Sequence, residues 1–186
     1  MPALQKTPRV SVIIPTYNCD RYIVEAINSV LAQKDVDFEI LVVDDGSTDR
    51  TREILEDYGD WATPTGEADR IHYIYQKNRG VAAARNLGIN MARGEFVSFL
   101  DADDFFLRGK LAAQVAVFDE QPNLGLVHSG WRRVDSNGIY EMDVCLWEKV
   151  PELTLENWLT WKPVLPSAMM FRREWLEAVG GFDSRF

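Results

Sequence analysis

A chain of 186 residues that is 46% hydrophobic and 26% charged has the size and mix of one ordinary globular domain, able to bury a single core. Its formal charge of −9 leaves no broad positive field for a phosphodiester backbone or an anionic lipid surface, which argues against nucleic acid as a partner. Any phosphate must then be held locally, by backbone N–H groups, by a few Arg or Lys side chains, or by a cation that carboxylates retain.

The chain opens with Met1 to Arg9, which lacks the apolar segment of a signal peptide, and no later run approaches the ~18 apolar residues of a spanning helix. Cys19 and Cys145 lie far apart and outside any C-x-x-C pattern, the usage of reduced thiols. The expected location is the cytoplasm, either free or at the cytoplasmic face of a membrane.

Val10 to Ile14 is a β-branched run closed by Pro15 and reads as a buried strand ending in a loop. Tyr22, Ile23, Ala26, Ile27, Val30 and Leu31 then recur at helical spacing, with Asn18 or Asp20 as the expected N-cap and Glu25 near the positive helix end. Phe38 to Val43 is a second strand, ended by Asp44-Asp45-Gly46, with Ser47, Thr48 and Asp49 as helix-starting residues. Trp61 to Asp69, with Pro64 and Gly66, reads as a surface loop.

Ile71 to Tyr75 followed by the helix Val81 to Ala92, and Phe96 to Leu100 followed by the helix Lys110 to Phe118, repeat the pattern. Four β-α units imply right-handed crossovers and a parallel sheet covered on both faces. Ala82, Ala83, Ala84 and Gly88 leave the third helix room to approach the sheet or a ligand. After Pro122 the pattern changes to a strand at Leu124 to Ser129 and a hairpin across Asp135-Ser136-Asn137-Gly138, joining Trp131–Val134 to Ile139–Val144. The sheet is expected to become mixed there. A strand near Ala168 to Phe171 and a helix from Arg173 to Val179 follow, and Trp131, Trp147, Trp158 and Trp161 are assigned mainly to packing.

In an open α/β sheet ligands bind beyond the carboxyl ends of the strands. Those ends carry Pro15-Thr16-Tyr17-Asn18, Asp44-Asp45-Gly46-Ser47, Lys77-Asn78-Arg79-Gly80 and Asp101-Ala102-Asp103-Asp104. Together they offer an aromatic face, hydrogen-bonding groups for a nucleobase and ribose, and carboxylates for a divalent cation. Asp101, Asp103 and Asp104 crowd one strand end and repel one another, a cost that Mg²⁺ or Mn²⁺ removes.

These residues resemble glycosyltransferase family 2, the inverting nucleotide-sugar transferases of the GT-A fold. The resemblance rests on Val10 to Asn18, Val42 to Asp49, Asn78-Arg79-Gly80 with Ala84 to Gly88, Phe99 to Asp104 and Gly180-Gly181-Phe182-Asp183, in that order along nearly the whole chain. It implies one GT-A domain over residues 1–186, with an open, mainly parallel sheet and a mixed C-terminal part. It implies that Pro15, Thr16 and Tyr17 form the nucleobase loop, that Asp45 accepts a hydrogen bond from the nucleobase, and that Arg85 and Asp101 approach the nucleotide and its sugar. Asp103 is implied as the ligand of Mn²⁺ or Mg²⁺ bridging the diphosphate, and Asp183 as an acceptor-side residue.

Members of that family place an acidic pair shortly after the Gly-Gly-Phe-Asp turn, where it deprotonates the acceptor hydroxyl. This sequence reaches Phe186 before such a pair, so the catalytic general base is expected beyond Phe186. The expected activity is metal-dependent, inverting transfer of a sugar from a UDP-sugar to a saccharide, lipid-linked or other hydroxyl acceptor. A nucleotide-sugar-binding module without turnover is the alternative. A dehydrogenase would need glycines after the first strand, and Pro15 to Asp20 has none. A phosphohydrolase built on Asp101 and Asp103 leaves Tyr17 and Asp45 unexplained. His72 and His128 are too isolated for a zinc site.

Overall fold

The computed structural model describes residues 7–62, 70–135, 137–145 and 165–185, with 148, 154 and 156 as single positions. Its strands are β1 (Val10–Thr16), β2 (Phe38–Asp44), β3 (Ile71–Tyr75), β4 (Phe96–Phe99), β5 (Leu126–His128), β6 (Trp131–Val134), β7 (Tyr140–Val144) and β8 (Met169–Arg172). Its helices are α1 (Ile23–Leu31), α2 (Thr51–Ala62), α3 (Val81–Met91), α4 (Lys110–Glu120) and α5 (Arg173–Val179). Six strands form one sheet in the order β3-β2-β1-β4-β8-β5.

The first four strands are parallel, and β8 runs antiparallel to both β4 and β5. The sheet is therefore mixed as expected, but through β8. The hairpin β6-β7 forms a separate two-stranded sheet. Its turn is held by Asp135, whose Oδ1 accepts the N–H groups of Asn137 and Ile139, and by Gly138 at φ 78°.

Strand alternation sorts the core onto two faces. Val10, Val12, Ile14, Ile40, Val42 and Phe96 pack with Ile23, Ala26, Ile27 and Val30 of α1, Leu55 of α2 and Leu111, Val115 and Phe118 of α4. Ile13, Leu41, Val43, Val97 and Phe99 pack on the other face with Ala84 and Ile89 of α3 and Leu176 of α5. Phe96 and Phe118 stack at 4.5 Å, an arrangement worth ~1 kcal/mol beyond its buried area. Gly88 lets α3 lie directly on β1: a Cβ there would meet Ile13 Cγ2 at 2.5 Å. Of the two uses foreseen for the small residues of α3, helix-to-sheet packing is the one Gly88 serves.

Three local expectations are corrected. β1 runs on through Pro15 to Thr16 instead of ending at Ile14. Arg9 and Ile13 carbonyls accept from the β4 side, whereas Thr16 accepts from Asp45 on the β2 side. Pro15 thus turns its missing N–H toward β4, whose pairing with β1 has already ended at Ile13, so no ladder bond is lost. The helix α1 is preceded by Tyr22, with no side-chain cap, and the Cys19 carbonyl takes the Tyr22 and Ile23 N–H groups. Asn18, at φ 53°, caps a different segment: its Oδ1 accepts the N–H groups of Thr48 and Asp49. The next helix starts at Thr51, and Asp49 caps it. Trp61 belongs to α2 and not to a loop; residues 63–69 and the expectations for Trp147, Trp158 and Trp161 lie outside the described residues.

Candidate functional site

The four parallel strands deliver the polar residues to one edge of the sheet. Tyr17, the first residue beyond β1, lies at that edge and is 48% exposed. Pro15 and Thr16 behind it are buried within β1. The Asn18 backbone N–H donates to Ser47 Oγ while Asn18 Oδ1 takes Thr48 and Asp49, so the loops after β1 and β2 are tied together in both directions.

Asp44 and Asp45 have separate tasks. Asp44 is fully buried and accepts from the Tyr73 hydroxyl at 2.9 Å and the Ser47 N–H at 2.8 Å, which joins β2 to β3. Asp45 is 4% exposed and turns toward the segment after β3, taking Gln76 Nε2 at 2.6 Å and the Arg79 and Gly80 N–H groups at 2.8 Å each. Gly46 makes this approach possible: at φ 80° a Cβ would lie 2.8 Å from the Asn78 backbone nitrogen. The use of Asp45 as an organiser of the Arg79-Gly80 backbone has no local sequence signal, because its partners stand more than thirty positions away.

Beyond β4 the three carboxylates are disposed differently. Asp101 accepts from Arg85 of α3 at 2.7 Å, a pair in which the Arg85 side chain is 12% exposed. Asp104 accepts from Ser167 Oγ at 2.6 Å. Burial pushes the Asp104 pKa above its ordinary value; the Ser167 hydrogen bond opposes the shift, and the charges of Asp101 and Asp103 add to it. Asp103 is exposed and makes no hydrogen bond or ion pair to any described residue.

No group of three or more His, Cys, Asp or Glu among the described residues is arranged to enclose a metal alone. The donor set instead fits Mg²⁺ or Mn²⁺, which are held by one or two carboxylates and complete their coordination with phosphate oxygens and water. Asp103 has the free carboxylate for that, with Asp101 and Asp104 beside it in the same turn.

Arg85 also meets the Gly180–Asp183 turn, its guanidinium lying 5.4 Å from the Phe182 ring centroid. Phe182 packs edge-on against Phe99 at 5.2 Å. Asp183 is exposed and paired with Arg185 at 2.6 Å; that hydrogen-bonded pairing holds its carboxyl below the ordinary range. Buried polar atoms with no hydrogen-bond partner among the described residues include Thr16 Oγ1 and Arg85 Nε, both at this edge. A cavity of about 680 Å³ opens beside Asp103 and Asp104, reaching toward Lys110, Gln114, Ser129 and Trp131.

A sequence model of glycosyl transferase family 2 matches residues 11–180, nearly the whole chain. The chain belongs to that family. An uncharacterised glycosyltransferase of Nostoc sp. (strain PCC 7120) is 38% identical over 180 residues, covering 94% of this chain and 54% of its own length. Among solved structures, S. aureus TarS 1–349 in complex with UDP superposes with a TM-score of 0.73 at 29% identity, covering 95% of this chain and 51% of that one. A mannosyltransferase from Pyrobaculum calidifontis in complex with GDP-Man and Mn²⁺ gives 0.72 at 29% identity, covering 97% and 49%. The fold is GT-A. The chain spans 21% of the length of one curated relative and 54% of another. No helix among the described residues is long and apolar enough to cross a membrane.

Proposed function

We propose that this family 2 domain binds a nucleotide-sugar donor, UDP-linked, and takes part in metal-dependent transfer of the sugar to an acceptor hydroxyl with inversion. The observation that carries the reading is the division of labour among the three carboxylates after β4. Asp101 is occupied by Arg85, Asp104 by Ser167, and Asp103 is left exposed for a cation.

In this reading Tyr17 supplies the flat face for the nucleobase, with Pro15 and Thr16 holding the strand end beneath it. Asp45 shapes the nucleobase pocket by fixing the Arg79-Gly80 backbone and contributes its remaining acceptor capacity to uracil N3–H. Arg85 orients Asp101 toward the sugar and brings positive charge to the diphosphate side. Asp103 would hold Mg²⁺ or Mn²⁺, and such a cation would supply electrostatic stabilisation of the charge that grows on the leaving diphosphate.

An in-line attack inverts the anomeric carbon and needs a general base, a contribution of roughly 10²- to 10⁴-fold. Asp183, salt-bridged to Arg185 and acidified by it, is a poor candidate for that base. The same pairing favours the second reading, donor binding without turnover by these residues alone. Calorimetric titration with UDP in Mn²⁺ and in chelator tests the donor reading. Metal-enhanced binding is the expected result, and equal affinity in both buffers would refute the metal role.

A further inference from the structure

Ser167 stands more than sixty positions from the acidic turn in sequence and touches it twice. Its hydroxyl donates to Asp104 Oδ2 at 2.6 Å and accepts the Asp101 N–H at 3.1 Å. The single hydroxyl proton is committed to one carboxylate and a lone pair to one amide, so the Ser167 rotor has one orientation that serves both. The short distance to Asp104 is that of a charge-assisted bond. Within the turn, the Asp104 N–H returns to the Asp101 carbonyl at 2.9 Å, closing a loop of three hydrogen bonds around Ser167, Asp101 and Asp104.

The mount behind Ser167 is rigid. Ser167 lies in the 3₁₀ turn Pro166–Ala168 that leads straight into β8, and β8 pairs with β4 through Ser98↔Met170 and Val97↔Phe171. The Ser98 hydroxyl donates to the Met169 carbonyl at 3.1 Å, and Gln114 of α4 donates to the Ala168 carbonyl at 3.0 Å. The Leu100 N–H donates to the Ile13 carbonyl at 3.0 Å, so the last residue before the turn is anchored as well.

We infer that Ser167 is a positioning residue for the cation site: it holds the Asp104 carboxylate aside and fixes the Asp101 backbone, which presents Asp103 to a divalent cation carried with a nucleoside diphosphate. The inference rests on the donor reading above and adds to it a residue that acts through Asp101 and Asp104. Without the Ser167 hydroxyl, Asp104 swings free in a turn that already holds two other negative charges, and the Asp101 N–H loses its acceptor. The turn then samples conformations in which Asp103 no longer faces the diphosphate.

The test compares wild type, Ser167→Ala and Ser167→Thr by calorimetry, with UDP titrated in Mn²⁺ and in chelator, alongside thermal melts. Ser167→Ala should weaken UDP binding in Mn²⁺ by about tenfold, the usual scale for losing a group that orients a metal ligand. Its affinity in chelator should stay within about twofold of wild type, because the nucleobase loop is untouched. Ser167→Thr, which keeps the hydroxyl, should recover most of the Mn²⁺-dependent affinity. If Ser167→Ala does not fold, Ser167→Cys, close in size and a weak donor, takes its place. Equal losses in Mn²⁺ and chelator, or an unaltered Mn²⁺ gain in the Ala variant, would overturn the inference while leaving the donor reading in place. A wild-type protein whose UDP affinity ignores Mn²⁺ would refute the metal role, and the inference with it, while UDP that fails to bind in either buffer would remove the donor reading itself.

Discussion

The side-chain amide of Asn86 grips the backbone of Phe182 twice: Nδ2 donates to the Phe182 carbonyl at 2.7 Å, and Oδ1 accepts the Phe182 N–H at 2.8 Å. A residue whose N–H and C=O are both held this way cannot change its φ or ψ without losing one of the bonds. Arg85, the preceding residue on α3, meets Asp101 and the ring of the same Phe182. One turn of helix therefore joins the carboxylates after β4 to the Gly180–Asp183 turn. Asn86→Ala should lower stability by about 1–3 kcal/mol, since two part-buried backbone groups lose their partners. Denaturant unfolding measures it, and a loss below about 0.5 kcal/mol would show that water replaces the amide at no cost.

Asp103 should be separable from its neighbours. In Mn²⁺, UDP is expected to raise the melting temperature of the wild type much more than in chelator, and Asp103→Asn should lose most of that extra rise. A thermal-shift series at fixed UDP with graded Mn²⁺ gives the answer. An Asn variant that responds to Mn²⁺ like wild type moves the cation to other carboxylates.

For Asp45, stability and nucleobase preference should change together. Asp45→Ala leaves the Arg79 and Gly80 N–H groups without their acceptor, a cost of about 1–3 kcal/mol in unfolding experiments. UDP should bind more tightly than CDP, which lacks the N3–H, and Asp45→Asn should narrow that gap. Equal wild-type affinities for the two nucleotides would take Asp45 out of nucleobase recognition.

Lys110 gives a pH signature. Its ammonium end is enclosed, donating to Gln114 Oε1 at 2.8 Å and Ser98 Oγ at 3.2 Å and lying 4.1 Å from the Phe106 ring centroid. Burial pushes its pKa down from 10.5 to about 7, outweighing the attraction of the ring face for the cation. Between those two values the unfolded chain carries a proton that the folded chain does not, so stability from this group rises with pH across that window and is lowest below pH 7. Lys110→Met should remove that slope, with its stability relative to wild type greatest at pH 6 and declining toward pH 10. Urea denaturation at several pH values checks it, and parallel profiles for the two proteins would contradict a neutral Lys110.

Gly88 tests the contact between α3 and β1. Alanine improves helix propensity by about 1 kcal/mol, but its Cβ would collide with Ile13, and overpacking costs about 1–3 kcal/mol. Gly88→Ala should therefore be net destabilising. Combined with Ile13→Ala it should cost less than the sum of the two single changes, the sign of a shared contact. Strict additivity would show that α3 shifts away freely.

The parallel half of the fold was readable because each strand is a short apolar run closed by polar residues, and each helix shows its own spacing. The polar sheet edge follows from that topology, which is why Tyr17, Asp45, Asp101 and Asp103 stand out at strand ends in the sequence, whereas Arg85, within a helix, was suggested by the family resemblance alone. What escaped is long-range. Asn18 looked like a cap for the helix that follows it, yet its side chain serves residues thirty positions on. Ser167 and Asn86 act through partners sixty to one hundred positions distant, and no periodicity encodes such a contact.

The placement of β8 between β4 and β5 has a consequence for biosynthesis. All four parallel strands are complete by Phe99, but the partner for the outer edge of β4 begins only at Met169. Throughout the making of residues 100–168 the nascent protein carries an apolar strand, Phe96 to Phe99, with one rim unpaired, and β5 waits for the same partner. An open strand rim in a growing chain invites pairing with the wrong neighbour. The ribosome thus builds the parallel half first, and Ser167 and β8 arrive almost together to close the exposed rim and bring the acidic turn to its final shape.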